Sequence, residues 1–488
     1  MTNFTASDID RVRDRASYLV DEYRLPGMSV GVVSSDGLLY AEGFGYAEIE
    51  SKRPQSPRLR QRIGSITKTM VGLCAMSLVE EGKLDLDDRL IDQLPDLTKN
   101  FTGPVETVLI RHLMTHTNGI GEAPRMDQYY DTGAALWSNS PDPIPIAQAY
   151  ADGIHIEVPA GTKWAYANHA FALLGEIVAR VEGERIENVL RKRIFDPLVM
   201  INTDCYDQTH PDLTVGYHRA PSHDDLDVMD ILGNSPAEEP TVDGFNIRGK
   251  YVYVGPRAAG AVQSTINDMA KYASALLKKS GGIVSPDTFD LMTSPQWRPD
   301  DRLLSLGLTF MRDEQFGLRS IGHGGGVSGG WNTHIDVFPS EDLAVLVHIN
   351  IYFDKSEEIF SRVIQAVLDA PTPDFSGCRT DSSILESAPG VYEPSEGFLT
   401  SYRTIRSAGR LQITARDGEL HLRSRRGPWR EGVRLAQPDP GDPTFFVLDT
   451  GAPDPPRLVF VRDEHDDLTA IHMQRMSFVR NDRLAPWA

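Results

Sequence analysis

The 488-residue chain carries 49 Lys and Arg against 69 Asp and Glu, a formal charge of −20 that excludes nucleic acid and anionic membrane as partners. Its length exceeds what one ordinary core fills, so two or three domains are expected, and 40% hydrophobic with 24% charged residues fits a soluble globular protein. Three scattered cysteines, Cys74, Cys205 and Cys378, suggest neither a disulfide framework nor a Cys-based metal site. The N-terminal residues have no basic region followed by an apolar one, and no stretch is long and apolar enough to span a bilayer, so a cytoplasmic protein is expected.

Residues 6–23 read as an amphipathic helix with Ser7 as its cap and Ile9, Val12, Ala16, Leu19 and Val20 as its stripe. Gly27–Val33 reads as a strand, Ser35-Asp36-Gly37 turns it, and Leu38–Phe44 returns. Then comes Gly64-Ser65-Ile66-Thr67-Lys68-Thr69-Met70, directly before the apolar run to Val79. Ser65 falls at the entry of a buried helix, beside unpaired N–H groups. Lys68 follows at i+3, on the same face, where desolvation makes it a candidate base toward the serine. By itself the tetrad also fits a helix-capping serine and a snorkelling lysine.

Val108–Met114 reads as a short helix running into Thr115-His116-Thr117-Asn118-Gly119, a turn in which His112 and His116 are expected to be structural. Residues 121–160 are irregular and aromatic, with Tyr129, Tyr130 and Trp137, as in a binding loop or lid. Tyr166-Ala167-Asn168 precedes an apolar helix from Ala170 to Val181. Residues 203–257 are loop-rich; His210, His218, His223 and Asp224 lie there without helical pairing, and no metal is expected. A Gly/Ala turn leads into a helix ending near Leu277, with Ser264 and Thr265 near its cap. Leu306–Phe310, Ile335–Phe338 and Leu343–Ile349 look like strands, and between the first two lies Gly322-His323-Gly324-Gly325-Gly326-Val327-Ser328-Gly329-Gly330-Trp331. A helix over Glu357–Leu368 closes this part. Beyond the linker at Pro371–Asp374, lysine is absent from Ser356 onward, short strands alternate with turns, and Asp417-Gly418 is a hairpin signal. This rhythm predicts a small antiparallel barrel or sandwich.

Ser65-x-x-Lys68, Tyr166-x-Asn168 about 100 residues later, and His323-Gly324-Gly325 before a strand stand in a fixed order. That order resembles the serine beta-lactamase and penicillin-binding protein superfamily, most closely its class C-like branch of family VIII esterases, D-aminopeptidases and DD-peptidases. Leu113–Gly119 and Ala259–Thr265 support the resemblance, which covers roughly residues 6–370. It implies an α/β fold, an antiparallel sheet with flanking helices plus a helical subdomain, over residues 1–372, followed at 384–488 by an all-β barrel similar to the lipocalin-like domains of related peptidases. It implies a serine hydrolase working through an acyl-enzyme on an ester or amide bond of a small substrate or short peptide. Ser65 would be the nucleophile, and Lys68 and Tyr166 would share the proton transfer. Asn168, His323, Gly324, Gly325, Gly326 and Trp331 would bind substrate, with the oxyanion between the amides of Ser65 and Gly326.

No cofactor is implied, and a homo-oligomer is compatible with the appended domain. His323 stands where beta-lactamases usually carry lysine, and a largely neutral histidine grips a carboxylate less. With no secretion signal in view, a beta-lactamase is ranked below an esterase or amidase. An acyltransferase, or a silent ligand-binding homologue, is the alternative. The Arg-rich loop Ser424–Arg430 is a candidate to approach the cleft.

Overall fold

The computed structural model describes residues 4–121, 137–138, 140–220, 241–327, 329–353, 355–395 and 408–487. Its main sheet has strands β1 (Gly27–Ser34), β2 (Gly37–Glu48), β3 (Arg53–Pro54), β4 (Ser305–Leu306), β5 (Met311–Gln315), β6 (Leu318–Val327), β7 (Trp331–Phe338) and β8 (Leu343–Ile349). The spatial order is β4-β5-β6-β7-β8-β1-β2-β3, and neighbours run antiparallel. Every residue of β1 is buried, which is why Met28-Ser29-Val30-Gly31-Val32-Val33 reads as a continuous run rather than an alternation.

Helices α1 (Ala6–Glu22) and α5 (Ser356–Leu368) cover one face of the sheet through Val12, Ala16, Leu19, Ile359 and Val363. Helix α1 is capped by Thr5 and not by Ser7: the Thr5 hydroxyl accepts from Asp8 N, and the Asp8 carboxylate accepts from Thr5 N at 2.8 Å. The other face carries α2 (Thr67–Glu80), α3 (Asn168–Glu182) and α4 (Ile266–Leu277), which share one core with Ile335, Val337 and Leu346. Residues 67 through 78 of α2 are all buried, so the helix has no polar face to show over that span. Thr265 caps α4 by accepting from Asp268 N.

Two expectations shift here. The strand expected over Leu306–Phe310 is split: β4 ends at Leu306 and β5 begins at Met311, with Thr309 in the left-handed region at φ 68° between them. The glycine-rich stretch lies on β6 itself, since His323–Val327 pairs residue by residue with Trp331–Ile335 of β7.

The C-terminal strands close a barrel: β9 (Gly390–Pro394), β10 (Leu411–Arg416), β11 (Glu419–Ser424), β12 (Val433–Ala436), β13 (Phe445–Leu448), β14 (Arg457–Arg462), β15 (Leu468–Met473) and β16 (Met476–Arg480). Asp417 and Gly418 both have positive φ and make the turn between β10 and β11. The barrel interior is filled by Tyr392, Leu422, Phe446, Phe460, Ile471 and their neighbours. Its contact with the main sheet is polar. Arg302 pairs with Asp442 at 2.9 Å, Arg457 donates to the Glu314 carbonyl at 2.6 Å, and Arg475 pairs with Asp313. The loop Ser424–Arg430 bonds within the barrel, through Arg425 N to Arg410 O and Ser424 Oγ to Arg426 O; among the described residues, the barrel arginines that bond to the main sheet are Arg457 and Arg475. Among the described residues no helix is long and apolar enough to cross a membrane.

Candidate active site

Ser65 sits in a single 3-10 turn, Gly64–Ile66, that runs straight into α2. Gly64 has φ 53°, and a Cβ there would lie 2.9 Å from the Gly326 amide nitrogen. Only glycine permits both that dihedral and that approach, and the approach sets the Ser65 turn against β6. Strand β5 pairs with β6 only as far as Gly322, so His323–Val327 keeps β7 on one side and leaves its other edge toward the site.

Lys68 is wholly buried on α2. Its Nζ lies 2.8 Å from Ser65 Oγ, 2.9 Å from Asn168 Oδ1 and 2.5 Å from the Ala259 carbonyl oxygen. The amide oxygen and the carbonyl can only accept, so they hold two of the amine's hydrogens and turn its remaining position to Ser65. Asn168 is the first residue of α3, and Ala259 ends the turn Arg257–Ala259.

That turn is fixed from beneath. Arg257 Nη1 donates to Asp207 at 2.8 Å, and the same carboxylate accepts from Arg62 Nη2 at 2.8 Å, Tyr251 OH at 2.8 Å and Val254 N at 2.5 Å. Arg62 and Asp207 are fully buried, so the two guanidiniums and the hydrogen bonds offset the desolvation of the charge. Asp207 itself has φ 51°, and nothing in the surrounding sequence marks it.

Tyr166 is 6% exposed, and Lys68 Nζ is 5.2 Å from its ring centre. Its ring stacks on His116 at 4.2 Å and 27° and approaches His323 at 6.2 Å. His323 is 4% exposed; its Nδ1 lies 2.6 Å from the Gly324 carbonyl, which only accepts, so Nδ1 carries the proton and Nε2 is an acceptor. Burial, and then the positive charge of Lys68, push the pKa of His323 down to about 3, so the ring is neutral. A neutral ring offers a substrate carboxylate no charge.

The other expected binding residues fall differently. Gly325 is small because a Cβ would come within 2.0 Å of the Ile63 carbonyl, which packs beneath the strand, not because substrate needs the space. A Cβ on Gly324 would point toward His334 and Glu357 at ordinary contact distances, on the sheet face away from Ser65. Trp331 is 2% exposed: its Nε1 donates to Thr214 at 2.9 Å and its ring packs on Tyr251 and under Arg62. Tyr253 packs edge-on to Tyr251. Tyr129, Tyr130, His223, Asp224, Ser328 and the Trp137 side chain lie outside the described residues. His210 Nε2 lies 2.9 Å from Asp204, and burial pushes the pKa of His218 down to about 4. Among the described residues no group of three His, Cys, Asp or Glu is arranged to hold a metal ion.

The beta-lactamase family model matches residues 12–367. The chain is 25% identical over 283 residues to a beta-lactamase of Escherichia coli (strain K12), covering 55% of this chain and 61% of that protein. It is 26% identical over 203 residues to Protein flp of Staphylococcus aureus (strain N315), covering 42% and 39%. It therefore spans less than two thirds of the length of these relatives. The octameric penicillin-binding protein homologue from Pyrococcus abyssi superposes with a TM-score of 0.59 at 20% identity, over 97% of this chain and 100% of that one. The D-amino acid amidase from Ochrobactrum anthropi SV3, solved with L-phenylalanine amide, gives 0.58 at 21% identity over 75% and 99%. At these identities the structural likeness is one of fold.

Proposed function

Because this chain belongs to the beta-lactamase family, we propose that it is a serine hydrolase that forms an acyl-enzyme on Ser65. The observation that carries the proposal is the buried Lys68 amine, held by two acceptors and facing Ser65 Oγ at 2.8 Å. Lys68 Nζ also donates to Asn168 Oδ1 and the Ala259 carbonyl, so it is the N–H toward Ser65 that it would give up before taking the serine's proton. Ser65 Oγ attacks the substrate carbonyl carbon as its proton passes to the Lys68–Tyr166 pair. The tetrahedral oxyanion would accept from the N–H groups of Ser65 and Gly326, a reading that the close packing of Gly64 against Gly326 supports. Collapse expels the alcohol or amine, and Tyr166 is the candidate to protonate it. Water then cleaves the Ser65 ester and restores the site.

The substrate class we infer is a small ester or amide, with activated esters turned over most easily. The neutral His323 supports this ranking over substrates gripped by a carboxylate. The structural likeness to a D-amino acid amidase makes D-amino-acid amides the first amides to test. Labelling with a fluorophosphonate and intact-mass analysis should give one adduct on the wild type and none on Ser65→Ala, and the variant should lose ester hydrolysis while unfolding at the wild-type midpoint. Retained turnover in Ser65→Ala would end the proposal.

A further inference from the structure

The turn Thr115–Gly119 does more than terminate a helix: it grips the chain that carries Tyr166. Thr117 O accepts from Gly161 N at 2.7 Å and Gly119 O accepts from Glu157 N at 2.9 Å. The tightest grip is by one residue. The His116 carbonyl accepts from Ala165 N at 2.9 Å, its ring Nδ1 accepts from Ala167 N at 3.1 Å, and its ring face lies on Tyr166. Three consecutive residues, 165, 166 and 167, are thus held by one histidine. Because Nδ1 is the acceptor, the ring proton is assigned to Nε2. The ring is itself backed by Phe171 of α3 at 5.2 Å and is 3% exposed. To reach all three contacts His116 adopts φ 56°, a left-handed backbone that non-glycine residues seldom take and that only surrounding structure sustains.

From this geometry we propose that His116 is a positioning residue for Tyr166: it fixes the phenol's ring plane and the main chain on either side of it, so that the hydroxyl stays in register with Ser65 and Lys68. This rests on the reading of Tyr166 as part of the proton-transfer pair. The histidine acts through the tyrosine, by its bonds to the amides of residues 165 and 167 and its contact with the phenol's ring face. A phenol anchored at its flanking amides and one ring face has little freedom to swing, and displacement of about 1 Å in such a group costs about a hundredfold in rate.

The test uses the full chain and a chromogenic ester, with active sites counted by fluorophosphonate so that misfolded protein is excluded. His116→Asn is the informative variant, since asparagine tolerates the left-handed backbone and offers an acceptor but has no ring. We expect kcat per titrated site to fall about tenfold in His116→Asn and about a hundredfold in His116→Ala, with KM within about threefold of wild type. In a Tyr166→Phe background, His116→Asn should add almost nothing, because the residue it acts through is already disabled. Wild-type kcat per titrated site in both His116 variants, or losses that multiply fully in the double variant, would overturn the inference. A crippled Tyr166→Phe beside an unaffected His116→Asn removes this inference alone, whereas an unaffected Tyr166→Phe removes the reading of Tyr166 and the inference with it.

Discussion

Two histidines on neighbouring strands, His323 of β6 and His334 of β7, sit on opposite faces of the same sheet, one neutral and the other charged. His323 looks toward Lys68 and Tyr166, and burial with Lys68 nearby brings it down to about 3. His334 looks toward α5, its ring against Phe360, and its Nε2 meets Asp336 Oδ2 at 2.7 Å. Burial works against its charged form too, but Asp336, with Glu357 and Asp313 behind it, outweighs that and raises the pKa to about 9. Enclosure is common to both; the neighbouring charges decide between them, carboxylates led by Asp336 around His334 and Lys68 beside His323. The sheet thus presents a neutral acceptor on the face toward Ser65 and a lasting cation on the face toward α5, at adjacent positions of the β6–β7 register, since His334 pairs with Gly324. Changes to the polar groups beside Ser65 should alter turnover most, and changes to the His334 pair on the other face should alter stability alone.

The largest effect expected from the front face is Lys68→Ala, which should lower kcat by about 10⁴ or more while the thermal midpoint stays close to wild type. A large loss of folding in place of turnover would blur the distinction between the faces. Next is Gly325→Ala, which forces a methyl against the Ile63 carbonyl and should destabilise by about 4 kcal/mol in denaturant titration. It would show that this front-face glycine serves packing, not substrate.

On the back face, His334→Gln should cost about 3 kcal/mol at pH 7, by leaving Asp336 buried without its cation, with kcat nearly unchanged. The sign of its pH dependence follows from the raised pKa. The folded state holds a proton that the unfolded chain, near 6.5, releases; the stabilisation is full below about 6.5 and is lost as pH rises through about 9. Urea midpoints of the wild type should therefore decline over that window more steeply than those of the variant. The smallest effect is the mirror image. His323 prefers its neutral form when folded, so its contribution is full above about 6.5 and fades as pH falls toward 3. His348 and His218, also buried and lowered to about 3 and about 4, share that acid loss, so His323→Asn should flatten the acid limb only slightly.

The sequence was most informative where chemistry and local periodicity coincide. The i+3 spacing of Ser65 and Lys68 and the apolar run behind them place both groups at the head of α2, and Asp417-Gly418 marks its hairpin. Local pattern failed where tertiary packing overrides it. His323–Val327 is strand although glycine disfavours strands, because β7 and the Ser65 turn hold it from two sides. Gly390–Pro394 and Val433–Ala436 escape notice as strands because they are short and flanked by turn residues. The Asp207 cluster and the His116 grip join residues far apart in the chain, so no local window contains them. Trp331 looked like a ligand contact by its place after the third motif, and only its Thr214, Tyr251 and Arg62 neighbours reveal it as packing.

The barrel's arginines end mainly on main-chain oxygens. Arg475 donates to the carbonyls of Ser305 and Arg312, and Arg457 to that of Glu314, all on β4 and β5. Those two strands form one edge of the main sheet, and an uncovered edge is a template for pairing with another chain. The guanidiniums take up acceptors that a stray strand would otherwise use, while their charge repels cationic neighbours. The barrel thereby covers the β4 end of the main sheet, and a chain shortened to remove it is expected to self-associate through that uncovered edge, which light scattering would read.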